Sequence, residues 1–304
     1  MIPTVEQVMK FYSIIARAER MKSGRPGERT VLNALRGARA VCEASGLGVG
    51  AAVDQLTRKA IDDALVVFLN HGISRLSAWS YVCQLQSLFA RWSRPYYEDR
   101  GWEIPKLELP VFHLKPQHYV RPDAEILRRV KAWYKNLAKA MDLPEEGTRR
   151  RITSVRKRKH IYFAATMMLE FAMRNGDILR LSTKNFTIRD GRHYLSYVPH
   201  KTELTSGRRV FWPIHDDIWA RIMPLDLTLD SGVFDSLNDQ LRRLGFHGNK
   251  ASYELRKICI DHIYQRFGAE MATSISGDDI KTISRYYADP AQPNIGKIRV
   301  VDLL

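Results

Sequence analysis

Residues suited to phosphate chemistry gather late in this 304-residue sequence, between Tyr253 and Pro290. An arginine, Arg256, sits in the helix-like opening YELRK. A glycine turn follows at Ser276-Gly277-Asp278-Asp279. The stretch closes on a tyrosine pair, Tyr286 and Tyr287. Arginine, glycine turn and tyrosine pair in this order read as the second half of a phosphate-handling site whose first half lies upstream. There Arg174 ends an apolar helix, and a charge so placed asks for an anion. The ordinary reading is an ion pair with Asp177 in the same turn. Lys201 sits at a strand end in the loop HKTELTSGRR, where lysines are mostly solvated. Arg256 alone reads as a surface partner for nearby acids, and Tyr287 alone as a packed aromatic. Each signal is weak singly; their order and spacing are not.

Composition narrows the partner. The net charge is +15 and the pI near 9.8, which points to a polyanion, nucleic acid before an anionic membrane surface. No basic amphipathic helix at the start supports the membrane, no run approaches the roughly 20 apolar residues of a membrane span, and the opening MIPTVEQVMKFYSIIARAER is not a signal peptide. Cys42, Cys83 and Cys259 are far apart and follow no metal-ligand spacing, which suits a reducing cytoplasm. The nine histidines do not cluster, so no metal is expected.

The elements that must position these residues are mainly helical. Residues 1 to about 93 read as a small helical bundle: Glu6 to Arg20, Val31 to Ala44, a third helix capped by Thr57 and a fourth capped by Ser77. From Arg94 to Pro122 five prolines predict an extended linker. A second domain, 116–304, opens with a helix over Asp123 to Met141. The run Arg149, Arg150, Arg151, Arg156, Lys157, Arg158, Lys159 then precedes a separate buried helix, Ile161 to Met173. A charge run is usually a solvated face, and this one could equally follow a phosphate backbone. Residues 184–214 read as a three-stranded antiparallel meander, with Asp190-Gly191 as a hairpin turn. Leu237 to Leu244, Glu254 to Phe267 and Asp279 to Tyr287 are the later helices. The fold class is α+β: mainly α with a small antiparallel sheet, the first domain being residues 1–115.

Five segments together resemble the tyrosine recombinase and phage integrase family. AMRNGDILRL resembles the box of its first arginine and a following acid. KTELTSGRRVFWPI resembles its β-hairpin lysine, YELRK its HxLRH box, Gly277-Asp278 its LGH turn, and SRYYAD the box of its nucleophile. The resemblance covers nearly the whole chain. It implies a helical core-binding domain before a catalytic domain, and it implies that Arg174 and Arg256 clamp the phosphate, Lys201 is the general acid, Tyr287 the nucleophile and Asp177 the support of the first arginine. Arg208 and Arg209, beside the hairpin lysine, join the basic run as expected DNA contacts. Double-stranded DNA is the implied partner, bound by a dimer or tetramer, with no cofactor, metal or small-molecule substrate.

The sequence departs from that family at two positions. Tyr253 stands where the first histidine is usual, and Asp278 where the second histidine or tryptophan is usual. A tyrosine hydroxyl can still bond a phosphate; a carboxylate is expected to repel one. His262 is a candidate to fill the missing role, and Tyr286 is the alternative nucleophile if the last helix is turned by one residue. The resemblance implies a site-specific recombinase working through a phosphotyrosine. The alternatives are a weak or inactive DNA-binding protein on the same fold, and a type IB topoisomerase. The tail ADPAQPNIGKIRVVDLL is expected to dock on a neighbouring protomer or to pack on its own domain.

Overall fold

The structure is a computed structural model describing residues 1–24, 26–113, 118–203, 207–248 and 250–287. The chain divides into two compact units, Met1–Lys115 and Pro116–Leu304.

The first unit is helical. Helix α1 (Val5–Ser23) starts at a capping box in which Thr4 and Gln7 satisfy each other's backbone donors. Helices α2 (Glu28–Ala44), α3 (Arg58–Asn70) and α4 (Arg75–Gln86) pack their apolar faces into one core with α1. Thr57 caps α3 as expected, but Ser74 rather than Ser77 caps α4, its hydroxyl accepting the Ser77 N–H at 3.2 Å. The proline-rich stretch also differs from expectation. Helix α5 (Arg94–Asp99) stands at its start, because Pro95 falls in the first turn, where a missing N–H costs nothing. Tyr97 is buried, and Trp102, Ile104, Leu107, Leu109 and Phe112 lie on the same core. These apolar side chains, spaced between prolines, tie down chain that proline density alone marks as free.

The second unit holds α6 (Ala124–Ala138), capped by Asp123, and α7 (Arg149–Leu169), capped by Thr148. The basic run is not a separate segment before a buried helix: both are α7. Its first half is mostly exposed, with Val155 buried, while Ile161 to Met168 is buried on every face. Each large side chain buried there stabilises by about 1.5–3 kcal/mol, enough to hold a helix whose first turn places arginines at the wrong end of its dipole. Helix α8 (Asn175–Ile178) follows. Strands β1 (Phe186–Arg189), β2 (Arg192–Tyr197) and β3 (Val210–Ile214) form an antiparallel sheet in that order, as the meander predicts. Asp190 and Gly191, at φ 51° and 70°, make the tight turn between β1 and β2. The one-turn helix α9 (His200–Glu203) lies between β2 and β3. Then come α10 (Asp216–Ile222), α11 (Gly232–Leu244), α12 (Ser252–Ser276), which is broken at Gly268, and α13 (Ile280–Tyr287). The tail beyond Tyr287 lies outside the described residues.

Candidate active site

Helix α7 ends where Ala172 turns left-handed at φ 49° and the Met173 N–H closes back on the Met167 carbonyl at 3.0 Å. The chain leaves the core there, so Arg174 does not end α7 but sits at the N-cap of α8. Asp177, 5% exposed, joins two loops: its Oδ1 accepts the His200 N–H at 2.8 Å, and its Oδ2 lies 3.8 Å from Arg174 Nη1. The expected Arg174–Asp177 pair is present, at a distance too long for a hydrogen bond. The Asp177 carboxylate also fixes the turn that carries Lys201. Lys201 is exposed on α9, a single helical turn rather than the strand end its sequence suggests.

Arg256, in the first turns of α12, is fully buried. Its Nη2 donates to the Ser276 carbonyl at 3.2 Å and to Asp278 Oδ2 at 2.5 Å, while Arg174 Nη2 donates to Asp278 Oδ1. One carboxylate therefore bridges two arginines that lie far apart in sequence. Gly277 makes this possible. It closes α12 at φ 66°, and a Cβ there would meet Pro199 Cγ at 2.7 Å, so the turn before α9 packs directly on the turn before Asp278. Burial works against the Arg256 charge. The Asp278 carboxylate, then Tyr253 and Tyr197, outweigh it and hold the guanidinium above its ordinary pKa. The Tyr253 ring lies 5.9 Å from the guanidinium carbon. With cations on both oxygens, Asp278 is the site's internal anion. Even so, Arg174 Nη1, Arg256 Nε, Arg256 Nη1 and the Tyr197 hydroxyl are buried with no hydrogen-bond partner among the described residues.

Helix α13 carries both candidate nucleophiles. Tyr286 is 42% exposed, whereas Tyr287 packs on the small core of Cys259, Ile260, Ile263 and Tyr264. Its ring lies 5.4 Å from that of Tyr119 and 6.4 Å from that of Tyr264. Burial pushes the Tyr287 phenol well above its ordinary range, Arg256 pulls it back, and Tyr253, Asp278 and Asp261 push it up further. The Tyr287 phenol thus lies in electrostatic reach of Arg256, as the Tyr197 phenol does. A short segment crosses the helix: the Tyr119 N–H donates to the Tyr286 carbonyl at 2.8 Å, and Arg121 makes a two-pronged pair with Asp261 at 2.7 and 3.0 Å. His262 is exposed and lines a cavity of about 200 Å³ with Tyr119, Arg121 and Asp261. It shares no contact with the two arginines.

Sequence reasoning missed Tyr119, Asp261 and Tyr197. Asp261 left a signal, an acid among Leu255, Cys259, Ile260 and Ile263 on a buried helix. Tyr197 left another, alternating inward with Leu195 along β2. Tyr119 left none, because a strap of three residues has no period. The basic residues are spread by helical geometry. Arg150, Arg151 and Arg158 line a cavity of about 450 Å³ with Thr148 and Ser154. Arg156 and Lys159 lie round the helix and pair with Glu145 at 3.2 and 3.4 Å. Arg149 and Lys157 are exposed. Arg208 donates to Ser274 at 3.3 Å and Arg209 to Ser196 at 3.1 Å. Among the described residues no group of His, Cys, Asp and Glu could hold a metal, and no helix is long and apolar enough to cross a membrane.

Neither a family model nor a curated protein sequence matches this chain. Solved structures do. A lambda integrase tetramer bound to a Holliday junction is similar at TM-score 0.60 and 16% identity, over 98% of this chain and 81% of that one. XerH site-specific recombinase bound to difH substrate is similar at 0.53 and 12% identity, over 96% of both chains. The Tn1549 transposon integrase in complex with transposon right end DNA is similar at 0.56 and 12% identity, over 93% of this chain and 95% of that one. The chain has the tyrosine recombinase fold, helical with one small three-stranded antiparallel sheet.

Proposed function

We propose that the protein is a site-specific DNA recombinase or integrase that cuts and rejoins duplex DNA through Tyr287. The observation that carries this reading is the convergence of Arg174 and Arg256 on one anion, with the Tyr287 phenol in reach of the same guanidinium. Two guanidiniums suit the two non-bridging oxygens of a phosphodiester, where charge grows during attack. The Tyr287 oxygen attacks phosphorus and loses its proton to solvent. The bond to the 5′ oxygen breaks, Lys201 protonates that oxygen, and a 3′-phosphotyrosine remains. Asp177 holds the Lys201 turn against the Arg174 loop. The covalent bond conserves the phosphodiester energy, so rejoining needs no nucleotide. Tyr253 lends its hydroxyl to the phosphate, and the exposed residues of α7 with Arg208 and Arg209 meet the DNA backbone.

Residues 1–115 form the core-binding domain and 116–304 the catalytic domain. Exchange of two cut duplexes requires four nucleophiles, so the working form is a tetramer on DNA, in the cytoplasm. The solved structures offer a parallel: lambda integrase forms a tetramer on a Holliday junction and a dimer on a core site.

The test is covalent trapping on nicked suicide substrates from the flanking DNA. A band that survives denaturation, is lost in Tyr287→Phe and is kept in Tyr286→Phe is expected. A second reading, a DNA-binding protein without strand cleavage, is favoured by Asp278 lying where the phosphate would bind. Salt-sensitive DNA binding with no adduct in any variant would establish it. Relaxation of supercoiled plasmid without recombination would instead indicate a topoisomerase.

A further inference from the structure

Asp278 is the carboxylate that both arginines of the clamp share, and its charge matches that of a phosphate. Its two oxygens are divided between the clamp: Oδ1 goes to Arg174 and Oδ2 to Arg256. Two non-bridging phosphate oxygens would be shared in the same way. Yet a carboxylate has too few acceptors for the donors gathered here. Each guanidinium carries five N–H groups, and Arg174 Nη1, Arg256 Nε and Arg256 Nη1 are buried without a hydrogen-bond partner. A larger, tetrahedral anion would use donors that the carboxylate leaves idle.

The local backbone allows the side chain to leave without unfolding the turn. The Asp278 N–H is held by the Ser276 hydroxyl at 3.1 Å. Asp279 caps α13 through the Thr282 N–H and hydroxyl, both at 2.8 Å. Only the side-chain torsions of Asp278 need to change, and that side chain is already 17% exposed.

We propose that the Asp278 carboxylate is a resident occupant of the oxyanion site, which an incoming phosphodiester must displace. Occupancy gives the buried Arg256 charge a counter-ion and holds it in place when no DNA is bound, since a buried guanidinium without an anion would be strongly destabilising. It also sets selectivity. A free phosphate meets the full competition of a tethered carboxylate, whereas a phosphodiester in a duplex is held by contacts elsewhere and can win. The inference rests on the recombinase reading for the identity of that phosphodiester, but not for the competition itself.

The experiment is titration with inorganic phosphate by calorimetry, in phosphate-free buffer at fixed ionic strength. Wild type, Asp278→Asn, Asp278→Ser and the pair Asp278→Asn with Arg174→Gln are compared. The two single variants are expected to bind phosphate about ten-fold or more tightly than wild type, a change of about 1.4 kcal/mol. The added Arg174→Gln is expected to abolish the gain, which locates it at the clamp. If a single variant folds only with phosphate present, melting against phosphate concentration gives the same comparison. Unchanged or weaker phosphate binding in both single variants overturns the proposal, as does a gain that survives Arg174→Gln. The same proteins are taken through the covalent trapping assay. Tighter phosphate binding with no adduct in any protein leaves the displacement intact and defeats the recombinase reading. An adduct in wild type that Asp278→Asn loses, with phosphate binding unchanged, makes Asp278 a participant in the reaction and defeats the displacement.

Discussion

Two sets of cations in the second unit contrast in their surroundings. The Arg256 side chain is 1% exposed and shares one carboxylate with Arg174; the Arg156 side chain on α7 is 57% exposed and pairs with Glu145, itself 31% exposed. Buried charges with a fixed counter-ion are pre-organised, and salt barely reaches them. Exposed charges move, are screened beyond about 8 Å at physiological ionic strength, and act additively. The first arrangement suits chemistry on one phosphate, and the second suits holding a duplex of any sequence. The contrast teaches that the net charge of this chain is not one property but two.

The sharpest break of that contrast is Arg256→Ala. It is expected to lower covalent adduct formation by about 10²–10³-fold, the scale seen when one oxyanion donor is removed. It should also destabilise the fold by about 3–5 kcal/mol, because a fully buried side chain is removed and Asp278 loses one of its two cations. Chemical denaturation of the pair Arg256→Ala with Asp278→Ala sharpens this, since removing both charges should cost less than removing the arginine alone. Equal costs would mean that the two do not interact.

Next in size is the strap. Tyr119→Ala removes the ring against Tyr287 and is expected to slow adduct formation about ten-fold, the cost of losing orientation in an otherwise intact site. Duplex affinity in a shift assay should stay unchanged. Tyr119→Phe keeps the ring and drops a hydroxyl that is buried without a partner. It should keep the adduct rate and raise stability by about 1 kcal/mol. Smaller still is Arg150→Gln with Arg158→Gln. Together they should reduce the salt slope of duplex binding by about two and leave cleavage at low salt intact.

How much of this could be read from the sequence follows the same division. The helices, the meander and the Gly277 turn declare themselves locally, through caps, period and glycine. Arg174, Arg256 and Tyr287 could be nominated from their motifs because each motif is a short run. Their meeting could not be, since it depends on α8, α12 and α13, far apart in sequence, being brought together by the fold. Asp278 is legible in the sequence as an acid beside the glycine turn; its two guanidinium partners are not. Beside a phosphate a carboxylate repels; between two guanidiniums it binds, and only the packed structure supplies the second guanidinium. The proline stretch failed differently. Proline removes donors, but it does not prevent Trp102 and Phe112 from finding a core.

The mildest effect separates buried phenols that feel the arginine clamp from one that does not. Burial raises the phenols of Tyr134, Tyr197 and Tyr287 above their ordinary value near 10. A phenol with a raised pKa in the folded state contributes stability that is fully present below the unfolded value of about 10 and is lost as pH rises from there through the folded value. Stability by urea denaturation should therefore be flat across neutral pH and fall from about pH 10 upward. Near the clamp a second charge modifies this. Arg256 draws the Tyr287 and Tyr197 phenols down, while Asp278 pushes both up. Asp278→Asn removes the push and keeps the pull, so in that variant some phenolate absorbance should appear at lower pH than in wild type. Tyr134, packed on Tyr162 and bonded to Thr166, has neither neighbour and should not move. If combining Tyr134→Phe with Asp278→Asn abolishes the shift, the clamp does not govern the phenols beside it; if Tyr287→Phe reduces it, the Tyr287 phenol is one of those that sense the clamp.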